Sequence, residues 1–127
     1  MRALVVDDSK AMRTILKKMV SECGYDEVHE AGDGSEALEV LEMLQGIGLP
    51  NVVLVDWNMP GMDGFDLVQH VRADPAYAGV RLMMVTTETE VARISAALEA
   101  GADEYLMKPF TKDVLLDKLE LLTAPRA

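Results

Sequence analysis

The chain has 127 residues, and its 22 Asp+Glu against 12 Lys+Arg give a formal charge of −10. That length suits one domain, and a chain half hydrophobic and 27% charged has a globular rather than a disordered balance. The acid excess argues against nucleic acid or an anionic membrane as a direct partner, the single Cys23 excludes an internal disulfide, and no apolar run approaches the roughly 20 residues of a membrane helix.

From the N-terminus, Leu4-Val5-Val6 is a short apolar strand ending in Asp7-Asp8, acid that comes too early for a secretory signal. Met12, Ile15, Leu16, Met19, Val20 and Cys23 then recur at helical spacing, and Gly24 stands where a left-handed residue commonly closes a helix. Cys23 continues that stripe and reads as a small buried hydrophobe. Glu27–Glu30 is the second strand. Ala37, Leu38, Leu41 and Leu44 mark the second helix, and Gly46-Ile47-Gly48-Leu49-Pro50 separates it from the third strand, Val52–Val55, which ends in Asp56.

Asp63-Gly64 has the form of an N-cap before a third helix carrying Phe65, Val68 and Val71. Arg81–Val85 is the fourth strand and ends in Thr86. Thr87-Glu88-Thr89-Glu90 then has the form of a capping box for a helix with Val91, Ile94 and Leu98, closed by Gly101. The fifth strand, Glu104–Met107, runs into Lys108-Pro109. A last helix with Leu115, Leu119 and Leu122 precedes a frayed tail, Thr123–Ala127. The nine methionines read as gap-filling core side chains, with a surface role as the alternative for Met59 and Met62, and Trp57 reads as partly exposed among polar neighbours.

Five βα units in this length predict an α/β fold, a flavodoxin-like (βα)5 doubly wound parallel sheet with strand order 2-1-3-4-5. The near-continuous apolar runs of the first, third and fourth strands suit strands covered on both faces. A soluble, cytoplasmic, single domain over residues 1–127 with no output domain is expected.

Open parallel sheets hold ligands at the C-terminal strand ends, beside the point where strand order reverses. Asp7, Asp8, Asp56, Thr86 and Lys108 all stand there. Three converging carboxylates need compensating charge, and Lys108 supplies only one unit of it. Oxygen donors without His or Cys favour a hard ion such as Mg²⁺, and His29 and His70 fall away from this edge, so zinc is disfavoured. A metal, an ammonium, a hydroxyl and a carboxylate together suit phosphoryl transfer, with Asp56 as the best nucleophile because it stands alone on the central strand. No Gly-rich phosphate loop accompanies them. Taken singly, Asp8 and Asp63 read as helix caps, and Asp63 is kept out of the site.

These residues resemble the receiver domains of two-component response regulators along essentially the whole chain. The motifs are Val5-Val6-Asp7-Asp8-Ser9, Glu30-Ala31-Gly32-Asp33-Gly34, Val55-Asp56-Trp57-Asn58-Met59-Pro60-Gly61-Met62-Asp63-Gly64, Met84-Val85-Thr86-Thr87 and Gly101–Phe110. The resemblance implies Asp56 as phosphoacceptor, and Asp7, Asp8 and Asp56 with the Asn58 backbone carbonyl as Mg²⁺ ligands. It further implies Thr86 and Tyr105 as switch residues, Lys108 as the phosphoryl partner with a cis bond to Pro109, and a sensor histidine kinase or a small acyl phosphate as donor.

Asp56-Trp57-Asn58-Met59-Pro60 resembles the stand-alone, CheY-like chemotaxis members of the family, in which positions matching Asn58 and Glu88 tune phosphoryl lifetime. The resemblance implies a monomer acting on a protein target, the flagellar motor switch first, with a phosphatase as a further possible partner. The acidic start of the fourth helix, Glu88-Thr89-Glu90-Val91, departs from the lysines of well-known members and bears on the output partner. A phosphorelay intermediate or a phosphate sink shares the same site residues. A haloacid-dehalogenase-type hydrolase fits less well, because Asn58 stands where its second acid belongs and no stretch remains for a cap domain. A flavodoxin-type carrier is disfavoured because Asp7-Asp8 repels a flavin phosphate.

Overall fold

The computed structural model describes residues 1–87 and 91–123. Strands β1 (Arg2–Val6), β2 (Glu27–Ala31), β3 (Val52–Asp56), β4 (Arg81–Thr87) and β5 (Glu104–Lys108) alternate with helices α1 (Lys10–Glu22), α2 (Gly34–Leu44), α3 (Gly64–Ala73), α4 (Val91–Ala100) and α5 (Lys112–Thr123). All strand pairs are parallel and the order is β2-β1-β3-β4-β5, as the sequence predicts.

Alternation along the strands divides the core in two. Leu4, Val6, Val53, Val55, Leu82 and Met84 pack with Ala37 and Leu41 of α2, Leu67, Val68 and Val71 of α3, and Ala97 of α4. On the opposite face, Ala3, Val5, Val52, Leu54, Met83 and Val85 pack with Leu16 and Val20 of α1 and Leu115, Leu119 and Leu122 of α5. Both faces being covered explains the unbroken apolar runs of β1, β3 and β4, and each large aliphatic side chain so buried contributes about 1.5–3 kcal/mol.

The strands run further than their apolar runs. Asp56, Thr86 and Lys108 lie within the ladder rather than after it, with Asp56 beside Val85, Thr86 beside Met107 and Thr87 beside Lys108. These candidate site residues therefore sit on backbone that is fixed by sheet hydrogen bonds. Gly24 (φ 102°) and Gly101 (φ 122°) close α1 and α4 in the left-handed conformation expected of them.

Three local expectations change. Cys23 is the C-cap of α1 and is partly exposed, because the helix ends before its apolar stripe does. Ser9 caps α1 rather than Asp8, its Oγ accepting from the Met12 N–H at 3.2 Å. Met59 is buried and Met62 packs on the core, whereas Met1 and Met43 are exposed, so the methionines are not uniformly interior. Of the capping box over Thr87–Glu90 and the tail over Thr123–Ala127, only Thr87, which ends β4, and Thr123, which ends α5 rather than opening the tail, are described; residues 88–90 and 124–127 lie outside the described residues.

Candidate functional site

The site forms where β1 and β3, neighbours in the sheet, send their chains to opposite faces. Asp7 continues the β1 ladder, its N–H donating to the Ala31 carbonyl at 3.1 Å. The residue is 1% exposed. Its carboxylate Oδ1 accepts from the Ser9 N–H at 2.8 Å, while Oδ2 is buried without a hydrogen-bond partner. Asp8 is exposed, and with Ser9 taking the cap its carboxylate is left to face the site.

Asp56 ends β3, and its residue is 9% exposed. Burial pushes its carboxyl up to about 6; the Lys108 charge and a hydrogen bond from the Asn58 backbone N–H pull the other way, while the charges of Asp7 and Asp8 add to the rise. Lys108 Nζ stands 3.6 Å from Asp56 Oδ1 and 3.7 Å from Asp7 Oδ2, an ion-pair separation longer than a good hydrogen bond. Its bond to Pro109 is cis. Thr86 is buried, and its hydroxyl donates to the Thr87 carbonyl at 3.2 Å.

Asp7, Asp8 and Asp56 each bring one carboxylate oxygen to within 4.8 Å of the others. The donors are hard oxygens, Asp7 Oδ2 has no hydrogen bond, and among the described residues Lys108 pairs with two of the three carboxylates, Asp7 and Asp56. That arrangement fits a hard divalent cation and does not suit zinc. Replacing Asp8 by Ala is expected to weaken Mg²⁺ binding at least tenfold with little change in folding, because the side chain is exposed. Titration of Trp57 fluorescence with Mg²⁺ checks this, and an unchanged curve would remove Asp8 from the ligand set.

Tyr105 pairs with Met84, two residues before Thr86, so it shares a sheet face with Thr86. It is half-buried against the α2–α3–α4 core, and Lys118 Nζ lies 4.3 Å from its ring centroid. Asn58 is exposed at the start of the loop after β3. Glu88 lies outside the described residues. Asp63 caps α3, its Oδ1 accepting from the Asp66 N–H at 2.9 Å, as expected.

Two arginines also bear on the site and are not apparent from the strand-end argument. Arg13 Nη1 donates to the Asp7 carbonyl at 2.7 Å and its Nε to Glu30 at 3.0 Å, tying the acidic turn to β2. Its signal in the sequence is a cation in line with Leu16 and Val20, on the face of α1 that is buried. Arg93 of α4 lies over the Trp57 ring, 5.3 Å from its centroid, and Trp57 itself stacks on Phe65 at 5.4 Å.

The architecture and sequence agree with known proteins. The family described as "Response regulator receiver domain" matches residues 3–120. Chemotaxis protein CheY1 of Helicobacter pylori J99 is 46% identical over 122 residues, covering 96% of both chains. A chemotaxis protein CheY homolog of Campylobacter jejuni 81-176 is 45% identical over 120 residues, covering 94% of this chain and 90% of that one. Among solved structures, the chemotaxis response regulator CheY4 of Vibrio cholerae superposes with a TM-score of 0.84 at 35% identity, over 95% of this chain and 97% of its own. The receiver domain of a Pseudomonas aeruginosa sensor histidine kinase, solved with a magnesium ion coordinated in its active-site cleft, gives 0.82 at 26% identity over 95% of each chain. With an acidic turn, a strand-end aspartate and a strand-end lysine meeting at the edge of a 2-1-3-4-5 sheet, this chain belongs to the response regulator receiver domain family.

Proposed function

We propose that the protein is a phosphorylation-controlled signalling module, a chemotaxis response regulator whose phosphoacceptor is Asp56. The observation that carries this is one buried carboxylate at the end of the central strand, with Lys108 at 3.6 Å and two further carboxylates beside it. An Asp56 oxygen attacks phosphorus, and the bond from phosphorus to the donor breaks. A phosphohistidine donor leaves as imidazole and takes up a proton; an acyl phosphate leaves as a carboxylate. Mg²⁺ held by Asp7, Asp8, Asp56 and the Asn58 carbonyl supplies positive charge to the transferring oxygens when bound.

Lys108 then pairs with a phosphoryl oxygen, and the Thr86 hydroxyl turns from the Thr87 carbonyl toward the added charge. The space that Thr86 leaves is open to Tyr105 on the same sheet face, so the α4–β5–α5 surface changes shape. Such a switch biases an equilibrium that exists before phosphorylation. Asn58 and Glu88 tune how long the phosphoryl group lasts. The donor is a sensor histidine kinase, and a dedicated phosphatase is a further partner. The output, supported by the Helicobacter and Campylobacter relatives, is a flagellar motor switch bound by a cytoplasmic monomer whose single receiver unit spans residues 1–127.

Intact mass after incubation with acetyl phosphate tests the reading. One phosphoryl increment that requires Mg²⁺ is expected, accompanied by a change in Trp57 fluorescence; no adduct under any metal condition would overturn it. Lys108→Ala should still accept the phosphoryl group, about tenfold more slowly, but lose the conformational response. Hydrogen exchange in β5 and α5 before and after phosphorylation reads this directly. A normal exchange response in Lys108→Ala would assign the coupling to other groups.

A further inference from the structure

Beside Asp56 lies an open cleft of about 700 Å³, walled by Asp8 and the loop after β3 on one side and by Arg93 of α4 on the other. Arg93 is the one cation among its described lining residues, against the carboxylates of Asp8 and Asp63. Behind Asp8 stand Asp7 and Asp56, and the whole chain carries −10. An anionic phosphodonor is therefore repelled by the surface it must approach. Lys108 compensates charge at the reacting oxygen but is not among the residues that line this cleft.

The Arg93 side chain is exposed, yet it is held. Its guanidinium carbon lies 5.3 Å from the Trp57 ring centroid, and Nη1 is 3.4 Å from Asn58 Oδ1. Both of these partners are neutral, so they orient the guanidinium without cancelling its charge. Asn58 in turn donates its backbone N–H to the Asp56 carboxylate, which puts Arg93 one residue removed from the acceptor. A planar fork of donors held at the mouth of an otherwise acidic cleft is suited to a phosphoryl group or a carboxylate.

We propose that Arg93 is a specificity-determining residue for the phosphodonor: it draws a small, doubly charged acyl phosphate into the cleft and thereby sets how fast the protein is phosphorylated without a kinase. The proposal rests on Asp56 being the acceptor. It requires that the contribution scale with donor charge and fade with salt, which a merely structural role would not do.

The test measures Mg²⁺-dependent phosphorylation rates by quench and intact mass, because substitution at Arg93 changes Trp57 fluorescence in its own right. Acetyl phosphate and the less charged phosphoramidate are compared at low and high ionic strength. Arg93→Gln is expected to slow acetyl phosphate about fivefold at low salt and to slow phosphoramidate about twofold or less, with both losses shrinking at high salt. Arg93→Lys, which keeps the charge and loses the planar fork, should stay within about twofold of the unaltered chain. Equal rates for Arg93→Gln and the unaltered chain would overturn the assignment, as would a loss that is the same for both donors and persists at high salt. No Mg²⁺-dependent adduct on the unaltered chain would instead overturn the reading of Asp56, and this inference with it.

Discussion

Asp56→Asn is expected to abolish the Mg²⁺-dependent phosphoryl adduct and, at the same time, to make the metal-free protein more stable at neutral pH. The first effect follows from removing the proposed nucleophile. The second follows from the free energy lost when its charge is buried. The carboxyl lies at about 6 in the folded protein against an ordinary 3.8, chiefly because burial disfavours the ionised form. The folded state therefore binds a proton more tightly than the unfolded chain does. Stability lost to ionisation is absent below about pH 4, grows as pH rises from 4 to 6, and is complete above 6.

An amide does not titrate, so Asp56→Asn escapes this loss. Its advantage should reach about 2–3 kcal/mol at pH 7.5 and vanish toward pH 4. Urea unfolding at both pH values, without metal, measures it. Mg²⁺ should narrow the gap, because it stabilises the native chain that binds it by mass action and finds one carboxylate fewer in the variant. If Asp56→Asn were no more stable than the unaltered chain at pH 7.5, attraction to Lys108 would outweigh desolvation. The cleft would then be better hydrated than the 9% exposure of Asp56 implies.

The residues of this chemistry are legible in the sequence because they obey a rule that needs only strand ends. Asp7, Asp8, Asp56, Thr86 and Lys108 each follow an apolar run, and a parallel sheet brings such positions to one edge whatever the details of packing. Strand order is legible only as the commonest solution for five βα units. What cannot be read depends on contacts between elements far apart in the chain. Arg93 is an ordinary polar position in the pattern of α4 until that helix is set against the β3–α3 loop, 35 residues away from Asn58. Ser9 and Asp8 are equivalent as cap residues by composition, and only backbone geometry decides that Ser9 takes the Met12 N–H. Cys23 follows the apolar stripe of α1 correctly in phase but stands at the helix C-cap, where it packs on the edge of the core and stays partly exposed. Gly64 reads as an ordinary residue after a cap, although a side chain there would meet the backbone of Asp56 and Trp57.

Gly64→Ala is expected to be the most damaging single-methyl change in this loop. Gly64 begins α3, and its N–H donates to the Trp57 carbonyl at 2.9 Å. A Cβ on it would stand 2.4 Å from the Asp56 carbonyl oxygen and 2.9 Å from Trp57 Cα. Those atoms are backbone of β3 and its continuation, so no side chain can rotate away to relieve the overlap. Either α3 retreats from the sheet, exposing Leu67 and Val68, or the end of β3 moves and takes Asp56 with it. Overpacking of this kind costs about 3 kcal/mol, and a displacement of about 1 Å at the acceptor slows transfer about a hundredfold.

Gly61→Ala provides the contrast. That residue needs φ 73°, but nothing lies within 4 Å of the position its methyl would take, so alanine there carries only a backbone cost of about 1–2 kcal/mol and leaves Asp56 in place. Chemical denaturation together with the acetyl phosphate rate separates the two variants. Both should lose stability, but only Gly64→Ala should lose rate out of proportion to the fraction unfolded. Equal rates in the two folded variants would mean that α3 absorbs the strain, and that Asp56 is held by the β1 and β4 ladders on either side of β3 rather than by the close approach of α3.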